Sequence, residues 1–147
     1  MEVRKLARPL RRTGCLFVVL ACDDAGQADA VGRRLLQMNT GALVVYGRLD
    51  DLLANPPAGR IAAAIVDTHE PPAAVRRALD WLRRRWPRSP VTVIGDAGGG
   101  DQEMAARQGG ATFLTRPVTE EQWSSLLSHA LAPRGANEFR ETPVMPA

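Results

Sequence analysis

Lysine is almost missing from this chain: Lys5 stands alone against eighteen arginines in 147 residues. That bias reads as the imprint of a GC-rich bacterial genome rather than as chemistry. It also bears on one motif, because Gly98-Gly99-Gly100 is not followed by the lysine that a phosphate-cradling loop requires. No apolar run approaches ~18 residues, so no membrane span is expected. Cysteine occurs twice, at Cys15 and Cys22. On a strand over residues 16–22 the two would stand roughly 23 Å apart at about 3.3 Å per residue, beyond the reach of a disulfide. No metal spacing such as CxxC is present, and a reducing cytoplasm is the default compartment. No Ser–His–acid constellation is evident either, and the chain is read as a non-enzyme.

Charge is unevenly placed. Residues 1–14 carry five basic side chains against Glu2, a net +4. Residues 15–131 carry twelve arginines against thirteen acids, a net −1, and residues 132–147 balance at zero. The basic character therefore belongs to an arm and not to the domain. A nucleic-acid-binding domain usually carries its basic face on the fold itself, so nucleic acid is not an expected partner. The division read here is an N-terminal arm over 1–14, a domain over 15–131 and a C-terminal tail over 132–147. Arg11-Arg12 followed by GCLFVVLAC resembles a short signal peptide, and Val19-Leu20-Ala21-Cys22 a lipoprotein cleavage box. The same residues make a good buried strand, and that reading is preferred.

Five short apolar runs, at 16–22, 42–46, 61–66, 91–94 and 111–115, are rich in β-branched or aromatic residues and read as buried strands. Helical patterns lie between them. Ala28, Val31, Leu35 and Met38 recur at helical spacing, as do Val75, Leu79, Leu82 and Trp86, and then Trp123, Leu126, Leu127 and Ala130. Shorter helices fit 50–55 and 101–108, the latter ended by Gly109-Gly110. The arginines around Asp80 read as a solvated face. Five strands alternating with five helices give a parallel sheet covered on both faces. The length fits a flavodoxin-like order, 2-1-3-4-5.

In that order strands one and three are neighbours. The first ends at Asp23-Asp24 and the third at Asp67, so three carboxylates are expected to converge at the carboxyl edge of the sheet. Taken alone, an Asp-Asp pair more commonly caps the next helix. Converging carboxylates need a cation, a proton or a basic side chain. Oxygen ligands suit magnesium, and a carboxylate is itself a competent nucleophile for a phosphoryl group.

Over residues 15–131 the chain resembles the response-regulator receiver domain, the CheY-like family. The resemblance rests on Asp23-Asp24, on Asp67 with Pro71 four residues later, on GGATFLTRP leading to Pro117, and on the strand order. It implies a phosphoacceptor at Asp67 and a magnesium site made by Asp23, Asp24, Asp67 and the backbone carbonyl of His69. It further implies a switch aromatic at Phe113 and a cis peptide before Pro117. Two positions depart from the pattern. The family places Thr or Ser where Gly95 stands, and a lysine where Arg116 stands. Arginine keeps the charge but not the compact donor geometry of lysine, and pairing of Arg116 with Asp67 is expected.

These departures imply an atypical receiver that signals through protein contacts, with weakened or lost phosphoryl switching and weak magnesium binding. The implied partners are a histidine kinase, a phosphotransfer protein or a downstream protein. A homodimer through the fourth helix, fifth strand and fifth helix is the implied assembly. An active aspartyl-phosphate receiver is the alternative, and a small magnesium-dependent α/β enzyme a more distant one. Asp67-Thr68-His69 also matches the start of a cobalamin-binding DxH motif, but without its following glycine.

Overall fold

A computed structural model describes residues 2–5, 17–37 and 42–131. Its strands are β1 (Glu2–Lys5), β2 (Phe17–Ala21), β3 (Ala42–Tyr46), β4 (Ile61–Asp67), β5 (Val91–Gly95) and β6 (Thr112–Thr115). Its helices are α1 (Ala25–Gln37), α2 (Leu49–Ala54), α3 (Pro72–Arg85), α4 (Gly100–Gln108) and α5 (Glu120–Ala130). The sheet order is β1-β3-β2-β4-β5-β6. Strands β3, β2, β4, β5 and β6 pair in parallel, which is the expected 2-1-3-4-5 order.

The sheet gains one strand that the sequence pattern did not indicate. Glu2–Lys5 runs antiparallel to β3, with Glu2 opposite Val45 and Lys5 opposite Ala42. Residues 2–5 of the basic arm thus belong to the sheet, and they cover an edge that would otherwise present unpaired backbone groups. The remainder of the arm, Cys15, Met38 and the tail lie outside the described residues. The segment Val19-Leu20-Ala21-Cys22 is the buried end of β2 and the turn after it.

Side chains alternate across β2 as the pleat requires. Val18, Leu20 and Cys22 face α1 and α5, joining Val31, Leu35, Ile65, Ile94, Trp123 and Leu127. Val19 and Ala21 face the other layer, where Leu52, Leu79, Leu82 and Phe113 lie beneath α2, α3 and α4. Burying each Val, Leu or Ile contributes ~1.5–3 kcal/mol, so the two-sided apolar strands dictate a two-sided cover of helices.

Polar contacts fix the ends of the elements. The Tyr46 hydroxyl donates to Asn55 O at 2.6 Å, holding the end of α2. Trp86 Nε1 donates to Gly59 O at 2.9 Å, below α3. Thr119 and Gln122 form a reciprocal capping box at the start of α5. Gly98 has φ of 86°, a left-handed turn that suits glycine, two residues before α4 begins. The peptide bond between Arg116 and Pro117 is cis.

Candidate functional site

Asp67 is the last residue of β4, next to the carboxyl end of β2, and its side chain is only 6% exposed. Arg116 follows β6, two strands away, and its length lets it cross the end of β5 to reach Asp67. Its backbone N–H donates to Gly95 O at 2.8 Å, which fixes where the side chain starts.

The guanidinium finds a separate acceptor for each of the five N–H donors that an arginine owns. Nη1 pairs with Asp67 Oδ1 and also donates to Ile94 O at 3.3 Å. Nη2 donates to Thr68 O at 3.1 Å and stands 3.1 Å from His69 Nδ1. Nε donates to Asp96 Oδ1 at 3.0 Å. A neutral His69 ring accepts the Arg116 proton at Nδ1. A protonated ring instead donates to Asp96 Oδ2, 3.4 Å away. The His69 imidazole is therefore part of the cluster, whereas the resemblance implied a role for its carbonyl alone. Asp96, the residue after β5, neutralises the outer side of Arg116.

The second oxygen of Asp67 meets Cys22. The thiol lies 3.5 Å from Asp67 Oδ2 and 3.6 Å from Asp24 O, and its sulfur accepts from Asp24 N at 3.4 Å. Cys22, and not either member of the Asp23-Asp24 pair, is thus the residue after β2 that contacts Asp67. Asp24 takes the helix-capping role: its Oδ1 accepts from Gly26 N at 2.9 Å and Gln27 N at 3.3 Å. Asp23 is solvent-exposed and acts on Asp67 and Cys22 only through its charge.

These contacts bear on magnesium. Asp67 is already neutralised by a resident guanidinium. Asp24 spends an oxygen on its own helix, and the Cys22 thiol meets the second oxygen of Asp67. Among the described residues, no three of His, Cys, Asp and Glu are disposed to hold a metal ion. With Asp67 already paired to Arg116, this donor set as it stands does not fit the ion.

Burial and charge set the proton affinities. Burial raises the Asp67 carboxyl above its ordinary range, and the pull of Arg116, Cys22 and His69 only partly offsets it. Asp96 is held below its ordinary range, chiefly by the hydrogen bond from Arg116. Burial works against the Arg116 cation, but its contacts with Asp96 and Asp67 outweigh that and raise it. The Cys22 thiol is pushed up to about 12, first by burial and then by the nearby carboxylates, against a lowering by the Asp24 backbone.

Beside this cluster, Gly95 and Phe113 share a corner with Gln102 of α4. A Cβ built on Gly95 would lie 2.1 Å from Gln102 Oε1 and 2.7 Å from Phe113 Cζ. Gln102 Nε2 donates to Thr68 O at 3.2 Å and Glu70 O at 3.1 Å, tying α4 to the loop after β4. Phe113 is 7% exposed and packed into the core. The volume freed by glycine is thus already filled from both sides.

Sequence reasoning missed Cys22, Asp96 and Gln102. For Cys22 a signal existed: extending the β2 alternation by one step places it, before Asp23, at the strand end. For Asp96 and Gln102 no local signal existed, because their roles depend on how far Arg116 reaches and on how α4 leans.

No family model matches this chain, and no curated protein matches it. Solved structures do. The chemotaxis response regulator CheY4 of Vibrio cholerae superposes with a TM-score of 0.65 at 16% identity, covering 80% of this chain and 99% of that one. The beryllofluoride-activated NtrC4 receiver domain gives 0.66 at 20% identity, covering 78% and 94%. The CheY-like protein tadZ of Pseudomonas aeruginosa gives 0.62 at 19% identity, covering 78% and 98%. The fold is that of CheY-like receiver domains, in the flavodoxin-like class.

Proposed function

We propose that this protein is an atypical receiver that works in signal transduction through protein contacts, with phosphoryl switching at Asp67 weakened or lost. The observation that carries the reading is the saturated guanidinium of Arg116. A phosphoryl group arriving at Asp67 would compete with its carboxylate for Nη1, and the other four N–H groups of Arg116 already have partners. Gly95 supplies no hydroxyl, and its space is filled. Phe113 already lies inside, so a conformational shift would have little differential affinity to draw on. Nothing in the cluster supplies a general base aimed at a substrate, which favours a binding role over catalysis. Among the described residues, no helix is long and apolar enough to cross a membrane.

The contact face we favour is α4, β6 and α5. Met104 on α4 is 56% exposed. A groove of about 450 Å³ opens between α5 and the sheet edge, lined by Thr92, Thr112, Leu114, Leu126 and His129. A second copy of this chain or a kinase, phosphotransfer or downstream protein would cover that face.

The test is treatment with magnesium and a small phosphodonor such as acetyl phosphate, followed by intact mass measurement, with Asp67→Asn alongside. The expected outcome is little or no phosphoryl adduct on the wild type. A stoichiometric adduct that Asp67→Asn abolishes would instead establish an active phosphoacceptor.

A further inference from the structure

The outer face of α3 carries a charge pattern that the reading above does not use. Residues 76–88 hold Arg76, Arg77, Arg83, Arg84, Arg85 and Arg88 against Asp80, a net +5. All six arginines are exposed. The rest of residues 15–131 holds six arginines against twelve acids, a net −6. The polarity is therefore concentrated on one helix.

Of the six other arginines in residues 15–131, three, Arg34, Arg107 and Arg116, are paired with carboxylates. Among the described residues, none of the six α3-region arginines lies in an ion pair. Arg83 and Arg84 reach only the backbone carbonyls of Gly110 and Asp80, and Arg85 lies over the Trp86 ring at 5.5 Å. Asp80 stands three or four positions from Arg76, Arg77, Arg83 and Arg84, and it is the one carboxylate within the row. The helix dipole favours cations in the last turn, where Arg83, Arg84 and Arg85 sit, but offers nothing to Arg76 and Arg77 near the start. One carboxylate thus serves a row of six guanidinium groups.

An aromatic sits within it. Trp81 is partly exposed and packs edge to face with Trp86 at 5.7 Å. Arg77, Trp81, Arg84 and Arg85 follow the spacing i, i+4, i+7, i+8, one face of a helix. Tryptophan and arginine are the residues that dominate protein–protein contact energies.

The flanks limit what fits. Helices α2 and α4 lie on either side of α3. Exposed Asp50 and Asp51 stand on α2 and exposed Asp101 on α4, where Glu103 is half-buried and paired with Arg107. The basic face is one helix wide, between two helices whose first turns are acidic. A duplex or a membrane surface would meet those acids, whereas a single narrow acidic segment would not.

We propose that the outer face of α3 is a docking surface for an acidic helical segment of a partner protein, with an apolar side chain against Trp81. The surface is separate from Asp67 and from the α4–β6–α5 face, so the inference does not depend on the state of the phosphoacceptor site. The test uses the full chain and a fluorescein-labelled amphipathic peptide with glutamates at i, i+4 and i+7 and leucines between them, read by anisotropy. Duplex DNA and phosphatidylserine vesicles are the competing probes. The peptide is expected to bind, less tightly as salt rises, and to weaken about tenfold or more with Arg77→Glu/Arg84→Glu. Arg77→Gln/Arg84→Gln should fall between, and Arg33→Glu on α1 should change little; unchanged thermal midpoints confirm that each variant is folded. Peptide binding indifferent to the double reversal, absence of peptide binding at low salt, or tighter binding of DNA or vesicles would each overturn the proposal.

Discussion

Gly95 and Phe113 occupy one corner of the fold so closely that a Cβ at position 95 would stand 2.7 Å from Cζ of Phe113. Gly95→Ala therefore forces the ring or Gln102 to move, and overpacking of this kind costs about 1–3 kcal/mol. Urea denaturation should show that loss. In a Phe113→Leu background the same glycine change should cost measurably less, because the two residues compete for one volume. Strict additivity would mean that the ring is not what fills the corner.

Arg116→Ala leaves a buried carboxylate without its cation. We expect a loss of roughly 2–3 kcal/mol at neutral pH, below the usual range for a buried pair because Arg116 is 20% exposed. Asp67→Asn should cost much less, since it also removes a charge that burial opposes, and it should recover most of the stability lost in an Arg116→Ala background. A loss in the double variant as large as in Arg116→Ala would place the cost in packing of the arginine stem.

Acid titration should separate the two carboxylates. Asp67 has a folded pKa above its ordinary 3.8, so its ionised form weakens the fold at neutral pH. As pH falls through that raised value towards 3.8, the wild type should gain stability relative to Asp67→Asn. Asp96 is shifted the other way. The advantage of the wild type over Asp96→Asn should be present above 3.8 and vanish as pH falls through the lowered folded value. Chemical denaturation across that range checks both slopes, and slopes of the same sign would contradict the assignment.

Cys22 is buried and its thiol is pushed up to about 12. The thiolate is the reactive form. In a Cys15→Ser background at mildly alkaline pH, alkylation by iodoacetamide should run on the order of a hundredfold or more slower than for a free thiol. Alkylation at the rate of the unfolded chain would show that Cys22 does not sit against Asp67.

Removing residues 1–5 deletes β1 and uncovers β3. The four paired positions carry backbone hydrogen bonds worth about 0.5–1.5 kcal/mol each. A clear drop in thermal midpoint is expected, with increased self-association through the exposed edge. An unchanged midpoint would return these residues to the status of an accessory arm.

The parallel sheet was legible because its strands are continuous β-branched runs bounded by turn residues, and 42–46 matches β3 to the residue. Glu2–Lys5 escaped notice because three of its four residues are charged and it borrows its partner from forty positions away. In the candidate site, the position of Asp67 followed from where an apolar run stopped. Its company did not. Whether Asp24 faces a neighbouring strand or its own helix is decided by the turn after Cys22. Whether Asp96 repels or pairs is decided by the reach of Arg116.

Mechanically, the Arg116 cluster works as a clasp. Among the described residues, strand β6 lies at the sheet's edge with β5 as its only strand neighbour, yet Arg116 fastens its trailing end to Asp67 and Thr68 on the far side of β5. A pull from the α5 end cannot peel β6 alone; it must first open the clasp, and with it the grip on β4. The outermost parallel strand should consequently exchange its amide hydrogens on the schedule of the middle of the sheet rather than that of a fraying border.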